Sequence, residues 1–199
     1  MRIIIRELFE TVILAVLIFM ALHMSVQNFR VQGPSMKPTL EIEDHVIVNK
    51  IVYMQIKPST FWDLIPFINF DDKESVFPFH PPERGEVIIF RFPGDESRDF
   101  VKRVIGLSGD TVEMKRGQVY VNGVAISETY LKNRGDASML PVVVEEGTYF
   151  VMGDNRSASN DSRHWGKRTP VRSEHVVGRA WINFWPISRW QILSSHEYE

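Results

Sequence analysis

Between Thr11 and Phe29 the chain runs for 19 residues without an Asp, Glu, Lys or Arg. As a helix rising about 1.5 Å per residue, that stretch spans roughly 28 Å, close to the hydrocarbon thickness of a bilayer. From Val12 to Leu22 no polar face recurs at helical spacing, which argues against a core helix with one side in water. Toward the C-terminal end, His23, Ser25, Gln27 and Asn28 suit a membrane interface. Arg2 and Arg6 precede the stretch, so the N-terminus is expected to stay cytoplasmic and the remainder to be exported; Glu7 and Glu10 count for little in this rule. A cleaved secretory signal would need small residues at both cleavage positions beyond the apolar core, and Ala21-Leu22-His23 does not supply them. The expected organisation is a short cytoplasmic N-terminus (1–7), one transmembrane signal-anchor helix (8–29) and an extracytoplasmic domain (30–199) at the cell membrane.

The exported part reads as short strands. Val46 to Tyr53 is rich in β-branched residues, Glu86 to Phe92 stops at Pro93-Gly94, and Phe100 to Ile105 stops at Gly106. Gln118 to Val121 and Val124 to Ile126 flank Asn122-Gly123, the signature of a hairpin with a two-residue primed turn. Thr148 to Met152 and His175 to Trp185 add two more. Short strands punctuated by Gly and Pro predict a mostly β, antiparallel domain. A Pro- and aromatic-rich loop over 55–82 interrupts the pattern and is open to two readings, core or membrane interface. With no cysteine, disulfides and thiolate chemistry are excluded. A net charge of -2 gives no basic field for nucleic acid.

Ser35 sits in Gly33-Pro34-Ser35-Met36-Lys37-Pro38, six residues beyond the uncharged stretch. Glycine and proline there can aim a hydroxyl and a backbone N–H in one direction, as acyl transfer requires. Lys102 lies in the apolar run Phe100-Val-Lys-Arg-Val-Ile105, on the same strand face as Phe100 and Val104. Buried there, an amine loses its proton more easily and can serve as a base for serine; the bland alternative is that Lys102 snorkels to solvent. Lys37 is expected to be exposed and protonated, and Pro38 rules out a Ser-x-x-Lys motif starting at Ser35. The polar run Gly153 to Gly166 follows a strand. Its acidic spacing does not match an EF-hand, and the six histidines show no zinc spacing. No cofactor or metal is expected.

The anchor, Gly33-Pro-Ser-Met-Lys-Pro-Thr-Leu40, Arg84 to Gly94, Phe100 to Asp110 and Gly153 to Arg163, taken in that order, resemble the bacterial type I signal peptidases. The resemblance implies a membrane-anchored serine–lysine endopeptidase that removes signal peptides after Ala-x-Ala-type sites. Ser35 would be the nucleophile and donate its backbone N–H to the oxyanion, and Lys102 would be the general base. Ser159 would hydrogen-bond the lysine, and Asp161 and Arg163 would pair to hold the loop. Preprotein signal peptides, the lipid bilayer and proximity to the export translocon follow as partners. Three departures stand out. Gly33 occupies a position where some members carry a serine that is the second oxyanion donor. One membrane segment is visible where some members have two. Glu43-Asp44 replaces a common Gly-Asp pair. A self-cleaving repressor-type serine–lysine protease and a non-enzymatic anchored β module are the alternatives.

Overall fold

The computed structural model describes residues 2–54, 79–165, 170–196 and 198. Helix α1, Arg2–Ser25, contains the apolar span Ile5–Ser25, which is long and apolar enough to cross a membrane by length and composition. Leu8, Phe9 and Phe19 on it are each about two-thirds exposed, so none of the described residues covers them. The helix does not continue to Phe29. Val26–Arg30 is already strand β1, paired residue for residue with β2 (His45–Asn49) from Val26 opposite Asn49 to Arg30 opposite His45. Sheet pairing satisfies the backbone here, and Phe29 packs on the adjoining core. The expected boundary at residue 29 therefore moves back to Ser25, and the sheet starts with no intervening linker.

Ten further strands follow: β3 Val87–Phe92, β4 Asp95–Gly106, β5 Thr111–Lys115, β6 Gln118–Val121, β7 Val124–Ala125, β8 Met139–Val143, β9 Thr148–Met152, β10 Val171–Arg172, β11 Val176–Trp185 and β12 Gln191–Ile192. They form an eight-stranded sheet, ordered β1-β2-β11-β3-β4-β9-β10 with β12 on β11, and a four-stranded sheet, β7-β6-β5-β8. Every pairing is antiparallel. Four-residue helix α2, Ser162–Trp165, follows the polar run.

Strand β3 shows why the core is organised as it is. Val87 and Ile89 face one cluster with Val31, Met36, Leu40, Val46 and Val48, while Ile88 and Phe90 face another with Val104, Tyr149 and Val151. Alternation along a pleat explains the split, and burial on both faces explains its continuous apolar sequence. A third cluster joins the two sheets through Ile105, Val112, Val121, Phe150 and Met152. The Asn122-Gly123 turn has both residues at positive φ (54° and 79°), as a type I′ hairpin requires.

The departure at Glu43 has a physical consequence. Its φ is +74°, the left-handed region that glycine adopts freely. Glu43 N–H donates to Val31 O and its carboxylate pairs with Arg30. Left-handed strain of about 1–2 kcal/mol is offset by the exposed ion pair, about 0–1 kcal/mol, and by the extra chain entropy of glycine, about 0.5–1 kcal/mol. Glu43→Gly is accordingly expected to leave the melting temperature and proteolytic activity nearly unchanged, as thermal unfolding and a cleavage assay would show.

Residues 55–78 lie outside the described residues, so neither reading of the loop over 55–82 is decided. Phe79 at its end is exposed and Pro82 is buried.

Candidate active site

A 3-10 turn over Pro34–Met36 carries Ser35. Met36 and Leu40 are fully buried and pin the turn to the core. Lys37 N–H donates to Pro34 O at 3.2 Å and Leu40 N–H to Met36 O at 2.9 Å. The Ser35 side chain is left partly exposed above that buried floor.

Lys102 comes from β4, opposite Ile88 of β3. It does not reach solvent: only 4% of it is exposed. Its Nζ lies 2.8 Å from Ser35 Oγ and 2.9 Å from Val101 O. The Phe100 ring lies 5.2 Å below the amine, closing it from water on that side. Burial pulls the lysine down from 10.5 to about 8, against Asp161 and Asp154, whose charges hold it up. An amine poised there is neutral in an appreciable fraction near neutral pH. It can then accept the Ser35 proton along the contact that already exists.

The polar run folds into a buried clamp behind this pair. Asp161 is fully buried, and its carboxylate accepts from Arg163 Nε at 2.8 Å, Arg163 Nη2 at 2.9 Å, Gly153 N–H at 2.9 Å and Ser159 Oγ at 2.7 Å. Burial alone would raise its pKa, but Arg163, Gly153 and Ser159 together hold it below the usual carboxylate range. Ser159 thus donates to Asp161 rather than bonding Lys102, whose amine is taken by Ser35 and Val101. Asn155 binds the nucleophile's turn directly: its N–H donates to Ser35 O at 2.9 Å and its Nδ2 to Pro34 O at 3.2 Å.

A groove of about 660 Å³ opens at Ser35 and Lys102. One wall is Asn28 to Gly33 and the other is Ser97 to Lys102, with Val46 and Ile89 in the floor. Strand β4 pairs with β9 only from Arg103 onward, so among the described residues its edge before Arg103 is unpaired and faces the groove. Gly33 also lines it, with open space where a side chain would stand.

The signal peptidase, peptidase S26, family model matches residues 5–185. The chain belongs to this signal peptidase family. It is 34% identical over 195 residues to a probable signal peptidase I-2 of Synechocystis, covering 94% of this chain and 77% of that one. With the signal peptidase I of Leptolyngbya laminosa it shares 33% over 189 residues, 90% and 79% of the two chains. A crystal structure of a signal peptidase I from Enterococcus faecalis V583 aligns with half of this chain and 97% of that one, at 34% identity and a TM-score of 0.45. The protein is a serine endopeptidase of the signal-peptide-removing class, and the match sets aside both the repressor-type and the non-enzymatic readings.

Within the family frame, sequence reasoning left Arg103 and Asp154 without a role. They form a buried bidentate pair, Nε to Oδ1 at 2.9 Å and Nη2 to Oδ2 at 2.7 Å, and Thr39 of the Ser35 segment donates to the same Asp154 oxygen. The clue was present: an arginine inside an apolar strand must find a carboxylate. Gly153 was likewise unassigned. A Cβ on it would stand 2.3 Å from Ser159 Oγ and 2.5 Å from Ser35 O. Gly153→Ala is therefore expected to cost about 1–3 kcal/mol from overpacking, seen as a lowered melting temperature, together with a fall in kcat as Ser35 is displaced.

Proposed function

We propose that this chain is a membrane-anchored signal peptidase in which Ser35 is the nucleophile and Lys102 the general base. The contact that carries the reading is the 2.8 Å approach of a buried lysine amine to the serine hydroxyl. A preprotein segment enters the groove extended and pairs with the open edge of β4, a strand addition to an existing sheet. Apolar walls from Phe29, Val31, Val46, Ile89 and Val101 leave room for small side chains, in keeping with Ala-x-Ala sites. Neutral Lys102 takes the Ser35 proton and Oγ attacks the scissile carbonyl. The Ser35 backbone N–H faces the oxyanion, and protonated Lys102 returns the proton to the leaving amine. Water, deprotonated by Lys102, then releases the acyl group. Ser159, Asp161 and Arg163 hold the loop that seats the pair. Helix α1 keeps the site at the bilayer surface with the domain outside the cytoplasm, within reach of a preprotein leaving the translocon.

Cleavage of a preprotein in detergent tests the specificity. Ala→Leu at the position before the cut is expected to reduce kcat/KM at least 100-fold; equal cleavage of both substrates would defeat the reading. The anchor has its own test. A chain lacking residues 2–25 is expected to remain in the aqueous phase while the full chain floats with phospholipid vesicles. Flotation of the truncated chain to the same extent would remove α1 as the anchor.

A further inference from the structure

Behind the polar loop lies an ion pair that the reaction does not touch. Arg156 and Glu128 face each other with side chains 3% and 0% exposed. Arg156 Nη1 donates to Glu128 Oε2 at 3.2 Å, and Nη2 to Oε1. Glu128 comes from the segment after β7, next to the four-stranded sheet, and is no part of the groove. A buried ion pair contributes little stability beyond what an apolar pair of the same volume gives. Its value lies in geometry, since a guanidinium offers donors in a rigid fork.

The fork points at one residue. Arg156 Nε donates to Gly153 O at 3.2 Å, while Gly153 N–H donates to Asp161 at 2.9 Å. Gly153 is thus held at both its N–H and its carbonyl. Arg163 closes the ring, giving Nη2 to Arg156 O at 2.8 Å as well as gripping Asp161. Gly153 in turn stands against Ser35 O, closely enough that a Cβ would come within 2.5 Å. Tyr130 completes the support: its hydroxyl donates to Glu128 Oε1 at 2.9 Å, and its ring lies 4.1 Å from the guanidinium of Arg103, which grips Asp154.

We propose that Glu128 is a positioning residue of the peptidase: by aiming Arg156 at the Gly153 carbonyl it fixes the surface on which Ser35 is seated. The inference rests on the Ser35–Lys102 reading of the site. Glu128 touches neither groove nor substrate, so its loss acts on the chemical step and leaves binding alone.

Preprotein cleavage by the full chain in detergent, with kcat and KM measured separately and thermal unfolding run in parallel, is the test. Glu128→Gln keeps the shape and removes the charge; it is expected to lower kcat at least tenfold with KM within twofold. Tyr130→Phe retains the ring over Arg103 and removes one hydrogen bond to Glu128, and is expected to lower kcat two- to threefold at unchanged KM. A folded Glu128→Gln protein with wild-type kcat, whatever its melting temperature, overturns the proposal. Should Glu128→Gln not fold, wild-type kcat in Tyr130→Phe overturns it. Lys102→Met separates the two readings. Activity surviving in Lys102→Met breaks the base assignment, whereas wild-type kcat in Glu128→Gln beside an inactive Lys102→Met breaks only the role of Glu128.

Discussion

Ser35→Ala is expected to abolish preprotein cleavage while leaving the fold intact. The side chain's partner is Lys102 Nζ, whereas the turn is held by other groups: buried Met36 and Leu40, the Leu40 N–H to Met36 O bond, and Asn155 N–H on Ser35 O. All of these survive removal of one hydroxyl. The melting temperature should therefore change little, since no buried partner is orphaned except an amine that keeps Val101 O. Activity should fall about 10⁴-fold or more, the scale seen when a nucleophile is removed from a serine hydrolase. Incubation of wild type and variant with the same preprotein, read by gel and by the new N-terminus, measures it. Cleavage at the same bond and rate by Ser35→Ala would sink the nucleophile assignment. Water alone would then have to attack, since among the described residues the other hydrogen-bond partner of Lys102 Nζ is the Val101 carbonyl, which is no nucleophile.

Much of this geometry was legible from local pattern. Lys102 in an apolar run had to be either buried or strained toward water, and its strand face was set by the two-residue period that puts it with Phe100 and Val104. The hairpin at Asn122-Gly123 was fixed by turn chemistry. Strand β8 was not read, because Met139–Val143 carries Pro141 and pairs with β5 across a long sequence separation. Strand β5 was not read although Thr111–Lys115 closes a local hairpin onto β6 through Arg116-Gly117, because Arg116 is not a residue that announces a positive-φ turn. The helix boundary at Ser25 was missed for a related reason. Val26-Gln-Asn-Phe-Arg30 is a strand because β2 lies beside it, and pairing of that range is invisible in composition. Ser159 illustrates the same limit at atomic scale. Its neighbourhood to the site could be inferred, but whether a hydroxyl gives its proton to a carboxylate or meets an amine depends on tenths of an ångström.

Lys102 carries the sharper prediction, because activity and stability should move in opposite directions. Lys102→Met removes the base and is expected to lose cleavage about as completely as Ser35→Ala. Lys102→Arg should fail too, since a guanidinium is not deprotonated in proteins. In the wild type, with the amine near 8, kcat/KM should rise about tenfold per pH unit below that value and level off above it. A profile still climbing at pH 10 would mean an ordinary lysine and a different base. The stability argument runs through linkage. The amine titrates near 10.5 unfolded and about 8 folded, so between these values the unfolded chain holds more protons and stability rises with pH. Below about 8 the folded state carries the full penalty, about 3 kcal/mol at 1.36 kcal/mol per unit. Methionine fills a similar volume without the charge. Lys102→Met is accordingly expected to be more stable than wild type at pH 7, by an amount approaching that penalty less the two lost hydrogen bonds. Its advantage should shrink as the pH is raised from 8 to 10.5. Thermal unfolding of both proteins across that range reads the difference directly, and an advantage of the variant over wild type that is no larger at pH 7 than at pH 10 would show that the buried amine carries no such cost.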